Sequence, residues 1–372
     1  MSCSEVRVLA PRVLAPQVKS QEQDWKSLTT FRADTTLREK MGRVAYAVLF
    51  GTALCCACAH FVWPAVAIAS VGAILVVRKI VSVVIGYIVC PAALTSFSRE
   101  RKRSLREEGD RQIEVLRENG YLAKRISLYK SGTRYSAVMI GHSTTVDNGR
   151  WTVNGLGNMM TMETDIYRIA KDNFENKSNT LLIDGPSVCG SGGWPTRYQM
   201  GAGFEAGLQF LERKVKATHV VMRGLSLGGG MIAEAICNHD FTKGRAGGTR
   251  YLSISDRTFS RLSSVAADFV GRIVKPIIRV VGADLDGIRA AKKLSDLNIR
   301  HIVIQHTAFD KDISDESDGV ISDRVGLAHG LREENVLGDK VFLETDTICH
   351  NYPLPNGVEE RVSGEITQFF RT

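Results

Sequence analysis

The 372-residue chain is 44% hydrophobic and 24% charged with a formal net charge of +8, which excludes a disordered chain, a collagen-like repeat and a coiled-coil rod. The charge is unevenly placed: residues 1–106 hold 15 Lys/Arg against 6 Asp/Glu, whereas residues 107–372 hold 33 against 34. The larger part of the chain is therefore nearly neutral, which argues against a nucleic-acid groove there and leaves the basic excess to the N-terminal third.

Residues 1–43 read as a flexible polar and basic tail, with one duplicated pentapeptide, Arg7–Pro11 and Arg12–Pro16, that is too short to make a repeat architecture. From Val44 to Val77 run 34 residues without a formal charge, and after Arg78 and Lys79 a second uncharged stretch covers Ile80–Ser98. A single span needs roughly 20 apolar residues. The pattern predicts a membrane module over residues 44–98, with a two-span helical hairpin preferred, Trp63-Pro64 near a turn or kink, and Arg78 and Lys79 near an interface. Basic residues flank both ends (Arg32, Arg38, Lys40 and Arg43 before; Arg99, Arg101, Lys102, Arg103 and Arg106 after), which places both on the same side of the bilayer. The competing readings are a signal peptide, which would not begin with some 43 polar residues, and a buried hairpin in a soluble core. The partner that follows is a lipid bilayer, with a lipid or acylated substrate, and no nucleic acid.

Eight cysteines form no framework. Cys55, Cys56, Cys58 and Cys90 lie in the apolar module, and Cys3, Cys189, Cys237 and Cys349 are scattered with no CxxC pair. Cys55, Cys56 and Cys58 read as small apolar helix residues, lipidation being the alternative. The expectation is a reducing compartment for the C-terminal domain, no structural metal and no cofactor.

Residues 99–119 read as a charged linker helix, followed by a domain over 120–372. Arg125–Tyr129 and Tyr135–Ile140 form a hairpin pattern. Strand patterns then recur at Trp151–Val153, Thr180–Ile183, His219–Met222, Tyr251–Ile254, His301–Ile304 and Val341–Leu343, and between them lie helical stretches such as Thr161–Asn173, Gln199–Lys216 and Gly287–Leu297. In Gln199–Lys216 the apolar residues Met200, Phe204, Leu208 and Leu211 recur at helical spacing, with charges expected on the other face. Alternating strands and helices imply a mostly parallel α/β sheet with helices on both faces, and chemistry at the carboxyl ends of its strands.

Gly224-Leu225-Ser226-Leu227-Gly228 follows the strand His219–Met222 and precedes a small-residue helix. This is the context a G-x-S-x-G elbow requires: the glycines permit a sharp turn and close packing, and Ser226 is presented at the sheet edge. A glycine-rich helix entry that only packs tightly or cradles phosphate is the competing reading. A nucleophilic serine needs a base and an acid, in the chain order Ser, acid, His. His350, beyond the last strand and before a closing helix at Val358–Phe370, is the expected base; His239, His301, His306 and His329 have structural explanations. Asp318, shortly before a helix start near Ser322, is the preferred acid, with Asp310, Asp312 and Asp256 as alternatives. The oxyanion donors expected are the backbone N–H of Leu227 and that of Asn158, with Met159 next, in the glycine-containing turn after Trp151–Val153.

Together with Trp151…Gly157-Asn158, Asp184-Gly185-Pro186, Asp256-Arg257-Thr258-Phe259 and Asp318-Gly319-Val320-Ile321, the elbow resembles the α/β-hydrolase superfamily, and more closely the chlamydial CHLPS-type membrane proteins and related serine-hydrolase-like bacterial effectors. The resemblance implies an α/β-hydrolase fold over about residues 120–370 and an esterase-, lipase- or thioesterase-type serine hydrolase with Ser226 as nucleophile. The apolar segment is also similar to that of chlamydial inclusion-membrane proteins, implying a bacterial membrane or a host inclusion membrane. Two other classes remain: a non-catalytic membrane protein using the fold as an interaction module, and an NAD-binding α/β protein, which Gly155-x-Gly157 does not favour because the third glycine is missing.

Overall fold

A computed structural model describes residues 25, 27–35, 62–307 and 317–372. The strands β1 (Thr30–Arg32), β2 (Tyr121–Lys130), β3 (Thr133–His142), β4 (Arg150–Gly155), β5 (Asn179–Ile183), β6 (His219–Leu225), β7 (Arg250–Asp256), β8 (His301–His306) and β9 (Lys340–Thr345) form one sheet in the order 1-2-3-5-4-6-7-8-9. Strand β3 runs antiparallel to both β2 and β5; every other pair is parallel. Parallel pairs need crossover connections, and helices supply them.

The helices are α1 (Val62–Val89), α2 (Arg99–Glu118), α3 (Met162–Glu175), α4 (Arg197–Phe210), α5 (Leu227–Asn238), α6 (Phe241–Ala246), α7 (Leu262–Val270), α8 (Val274–Val280), α9 (Gly287–Asp296), α10 (Leu327–Glu333) and α11 (Asn356–Phe369). Side chains alternate across a strand, and β3 shows the result: Ala137 and Met139 join the core with α4 and α5, whereas Val138 and Ile140 face α2 and α3. Farther along the same second face, α11 closes Val221, Leu252, Ile254 and Ile302 with Val362, Ile366 and Phe370. This mostly parallel sheet with helices on both faces is the α/β-hydrolase fold.

Three expectations are revised. Part of the leader read as a flexible tail adds strand β1 to the sheet, because Phe31 is buried against Phe210 and the Asp34 carbonyl accepts from Lys130. The helix over Gln199–Lys216 is not amphipathic: Met200 through Phe210 are all buried, Glu205 pairs with buried Lys130 at 2.9 Å, and the charges of 212–214 fall in a π-turn beyond α4. The uncharged stretch 80–98 does not form a span of its own. Helix α1 runs unbroken through Trp63-Pro64 and Arg78-Lys79 to Val89, and Pro91–Phe97 is a 3₁₀ helix. Residues 44–61, the first part of the expected hairpin, lie outside the described residues. Among the described residues one helix, with its window at Ile68–Val89, is long and apolar enough to cross a membrane, at a mean hydropathy of 2.2. Its halves differ. Ile68–Ile80 is largely exposed, whereas Ser82, Gly86 and Cys90 are buried on the domain, where a Cβ built on Gly86 would sit 1.7 Å from the Pro195 carbonyl oxygen.

Candidate active site

Ser226 sits between β6 and α5 with φ 53° and ψ −121°. A non-glycine residue in such a region costs about 1–3 kcal/mol and persists only where its surroundings over-determine it. Here the Ser226 N–H donates to the Asp256 carbonyl at 2.9 Å, and the Ser226 carbonyl accepts from the Thr258 hydroxyl at 2.8 Å and the Gly229 N–H at 3.0 Å. The two elbow glycines are steric necessities. A Cβ on Gly224 would lie 2.5 Å from Gly229 Cα, and one on Gly228 would lie 2.2 Å from the Gly155 carbonyl carbon.

The loops after the last two strands bring two more residues together. His350 Nδ1 lies 2.6 Å from Asp318 Oδ2, and the His350 N–H donates to the Asp318 carbonyl at 2.6 Å. The other carboxylate oxygen of Asp318 accepts from the N–H groups of Val320 and Ile321 at 3.0 and 2.7 Å. That double acceptance fixes the carboxylate, and an ionised carboxylate at Nδ1 selects the tautomer with the proton on Nδ1, which leaves Nε2 as the basic atom. Among the described residues no hydrogen bond joins Ser226 Oγ to His350; such bonds are often long in a free enzyme and tighten around substrate. Asp310 and Asp312 lie outside the described residues.

Asp256, the remaining alternative acid, faces elsewhere. Its carboxylate pairs with Arg257 Nε at 2.8 Å and with Arg223 at 3.4 Å. Sequence reasoning gave Arg257 no role of its own, yet it is the residue that joins the elbow to the histidine loop. It follows the residue whose carbonyl holds the Ser226 amide, has φ 46°, and is only 5% exposed. Its Nη1 donates to the carbonyls of Cys349, His350 and Tyr352 at 2.7, 3.1 and 2.6 Å. An arginine directly after an acid at a strand end was the one signal available.

Leu227 is the first residue of α5, and N–H groups of a first helical turn have no intrahelical partner. Asn158 and Met159 instead occupy an exposed turn beyond the end of β4, with Met159 78% exposed. The backbone that abuts the elbow comes earlier: the Cβ built on Gly228 would lie 2.6 Å from the Leu156 amide nitrogen. The other downstream histidines have local partners: His239 with Glu212, His301 with Ser255, His306 with Asp323 and His329 with Glu333. Asp184 is buried, accepts from the Met162 N–H and has a second oxygen without a hydrogen-bond partner among the described residues; burial pushes its carboxyl well above the usual range. Among the described residues no group of three His, Cys, Asp or Glu side chains converges as a metal site.

A family model described as Chlamydia CHLPS protein (DUF818) matches residues 31–371. No curated protein matches the chain. Among solved structures it is similar to an esterase from Pyrococcus furiosus (11% identity, 69% of this chain and 93% of that one, TM-score 0.49) and to an alpha-beta hydrolase from Vibrio vulnificus (14%, 73% and 91%, TM-score 0.49). It is also similar to an esterase/lipase from an uncultured bacterium (13%, 73% and 98%, TM-score 0.42).

Proposed function

The chain belongs to the Chlamydia CHLPS protein (DUF818) family, and from that premise we propose that it is a membrane-anchored serine hydrolase acting on ester or thioester bonds. The observation that carries the reading is the buried His350–Asp318 pair, 2.6 Å apart on the loops after the last two strands of a sheet that also presents a serine at a strained elbow. In this reading Ser226 Oγ attacks the carbonyl carbon while His350 Nε2 takes the hydroxyl proton. The imidazolium is steadied by Asp318, and the developing oxyanion is met by the N–H groups of Leu227 and Leu156. Collapse of the tetrahedral species expels the alcohol or thiol, which takes the proton back from His350, and water then releases the acyl group by the same route. Leu156 replaces Asn158 in this role because its amide nitrogen, and not the exposed turn, stands beside Gly228.

Anchoring is supported by α1, whose exposed half is apolar and whose first charged residues, Arg78 and Lys79, mark where the helix begins to dock on the domain. A fluorophosphonate probe applied to the full chain tests the enzymatic part: labelling abolished in Ser226→Ala supports it, and absence of labelling in folded protein favours the non-catalytic interaction module. Resistance of the chain to alkaline extraction from membranes tests the anchor.

A further inference from the structure

The connection between β7 and β8 carries a second apolar surface that the hydrolase chemistry does not use. Within twelve residues Phe269, Val270, Ile273 and Val280 are between 69% and 79% exposed, and Ile277 is also exposed. Single exposed apolar residues are ordinary on a protein surface, whereas a contiguous group marks an interaction site. The segment from Phe269 to Gly282 contains Arg272, Lys275 and Arg279 and no acid; Arg279 approaches Asp284 at 3.6 Å, and the other two have no ion pair among the described residues. Apolar side chains interleaved with cations, on short helices, are the composition of a segment lying in the headgroup region of a bilayer.

Two contacts say which surface covers it. Helix α8 packs on α1, and Gly282, just beyond α8, lies against the Arg78 guanidinium, where a built Cβ would be 2.7 Å from Nη2. The apolar face therefore stands at the level of Arg78 and Lys79, where the exposed apolar half of α1 ends. The other end of the segment is tied to the site. Asp268 at the end of α7 accepts from Ser322 Oγ at 2.6 Å and from Arg324 Nε at 2.8 Å, four and six residues beyond Asp318.

We propose that Phe269, Val270, Ile273, Ile277 and Val280 are seated in the headgroup–acyl boundary of the bilayer that holds α1, so that the catalytic mouth opens onto lipid and the substrate is an ester borne by a membrane lipid. The proposal rests on the anchored-hydrolase reading. Its placement is continuous with the exposed half of α1, and its cations complement anionic headgroups.

The test uses the full chain reconstituted in phosphatidylcholine–phosphatidylglycerol vesicles, with the photoreactive substitutions Ile273→benzoylphenylalanine and, separately, Ile74→benzoylphenylalanine in the exposed half of α1. Lipid adducts at both positions are expected. Lipid adducts at position 74 with none at position 273, or with protein adducts at 273 to a second copy or to this chain's own residues 44–61, overturn the proposal and leave the anchor standing. No lipid adduct at either position removes both. As a second measurement, Ile273→Ser with Val280→Ser is expected to slow hydrolysis of a vesicle-borne ester by about a hundredfold, since each of the two apolar side chains leaving water contributes roughly a factor of ten. Hydrolysis of a short water-soluble ester stays within about twofold of the unsubstituted chain, the spread of an ordinary surface substitution. Equal rates on the vesicle ester overturn the proposal.

Discussion

Arg257→Lys is the most informative perturbation of the site, because it keeps the charge beside Asp256 and removes the fork. The guanidinium makes three hydrogen bonds to the carbonyls of Cys349, His350 and Tyr352 and pairs with a carboxylate that is 3% exposed. Hydrogen bonds involving a charged group contribute about 1.5–3 kcal/mol each, and breaking a buried pair outright costs about 3–5 kcal/mol. These overlap and do not add, so Arg257→Ala would remove about 4–6 kcal/mol from a domain whose whole stability is of order 5–15 kcal/mol. A lysine ammonium reaches the carboxylate or the loop but not both with the same geometry, which sets the loss at about 2–3 kcal/mol, or roughly 5–10 °C in thermal midpoint. A histidine released by about 1 Å costs on the order of a hundredfold in rate, and that loss belongs in kcat with KM little changed. The assay is hydrolysis of a short p-nitrophenyl ester alongside a thermal melt, with Arg261→Lys as the control, since Arg261 pairs with Asp286 and Glu334 outside the site. A melt lowered in both variants with kcat intact in Arg257→Lys would refute a positioning role and leave only a structural one.

Three further outcomes follow from the geometry. Asp318→Asn presents an amide to His350 Nδ1 in place of a carboxylate, and kcat is expected to fall about 10⁴-fold in ester hydrolysis through the wrong tautomer; a loss under tenfold would point to an acid from residues 308–316. His301 is buried, and desolvation brings its imidazole down to about 3 from an ordinary 6.5. Between those values the unfolded chain binds more protons, so stability present above pH 6.5 drains away as the pH falls toward 3, reaching about 2 kcal/mol by pH 5. Thermal melts at pH 7 and pH 5 should show that loss in the native chain and a smaller one in His301→Gln. Glu205→Ala removes the carboxylate partner of the buried Lys130 ammonium, leaving it the Asp34 carbonyl, and should lower stability by about 3–5 kcal/mol, read as a thermal shift; Glu205→Ala melting within a degree of the native chain would mean that the pair adds nothing net to stability.

The elements that could be read from the chain are those whose cause is local. Strands β4 to β9 announce themselves through short β-branched runs between turns, and the elbow through two glycines whose Cβ positions are already occupied by the next helix and the neighbouring strand. Where the cause is distant the pattern misleads. Helix α4 has the spacing of an amphipathic helix, but Gly201, Gly203 and Gly207 admit close neighbours on several sides, and buried Glu205 is paired with a lysine 75 positions away. Apolarity alone does not tell lipid from protein, so the docked end of α1 read like a second span; the small buried residues Ser82, Gly86 and Cys90, four apart, were the available clue. The amide that abuts the elbow, that of Leu156, is hard to pick out in the sequence because a turn glycine at 157 is as visible as the closer approach at 155. The role of Arg257 was hidden for the same kind of reason: its acceptors are backbone carbonyls more than ninety residues downstream.

Strand β1 has a mechanical consequence for the chain between it and α2. Its pairing with β2 pins residues 30–32 to the edge of the sheet, and α2, packed beside the same strand, pins the other end from Arg99 onward. The two feet of the intervening chain are thus both clamped to one sheet. If α1 enters a bilayer, both feet must stand on the same face of it, whatever the flanking lysines and arginines favour. Cutting that clamp, for example with Phe31→Asp, would leave one foot free and hand the choice of topology back to charge alone.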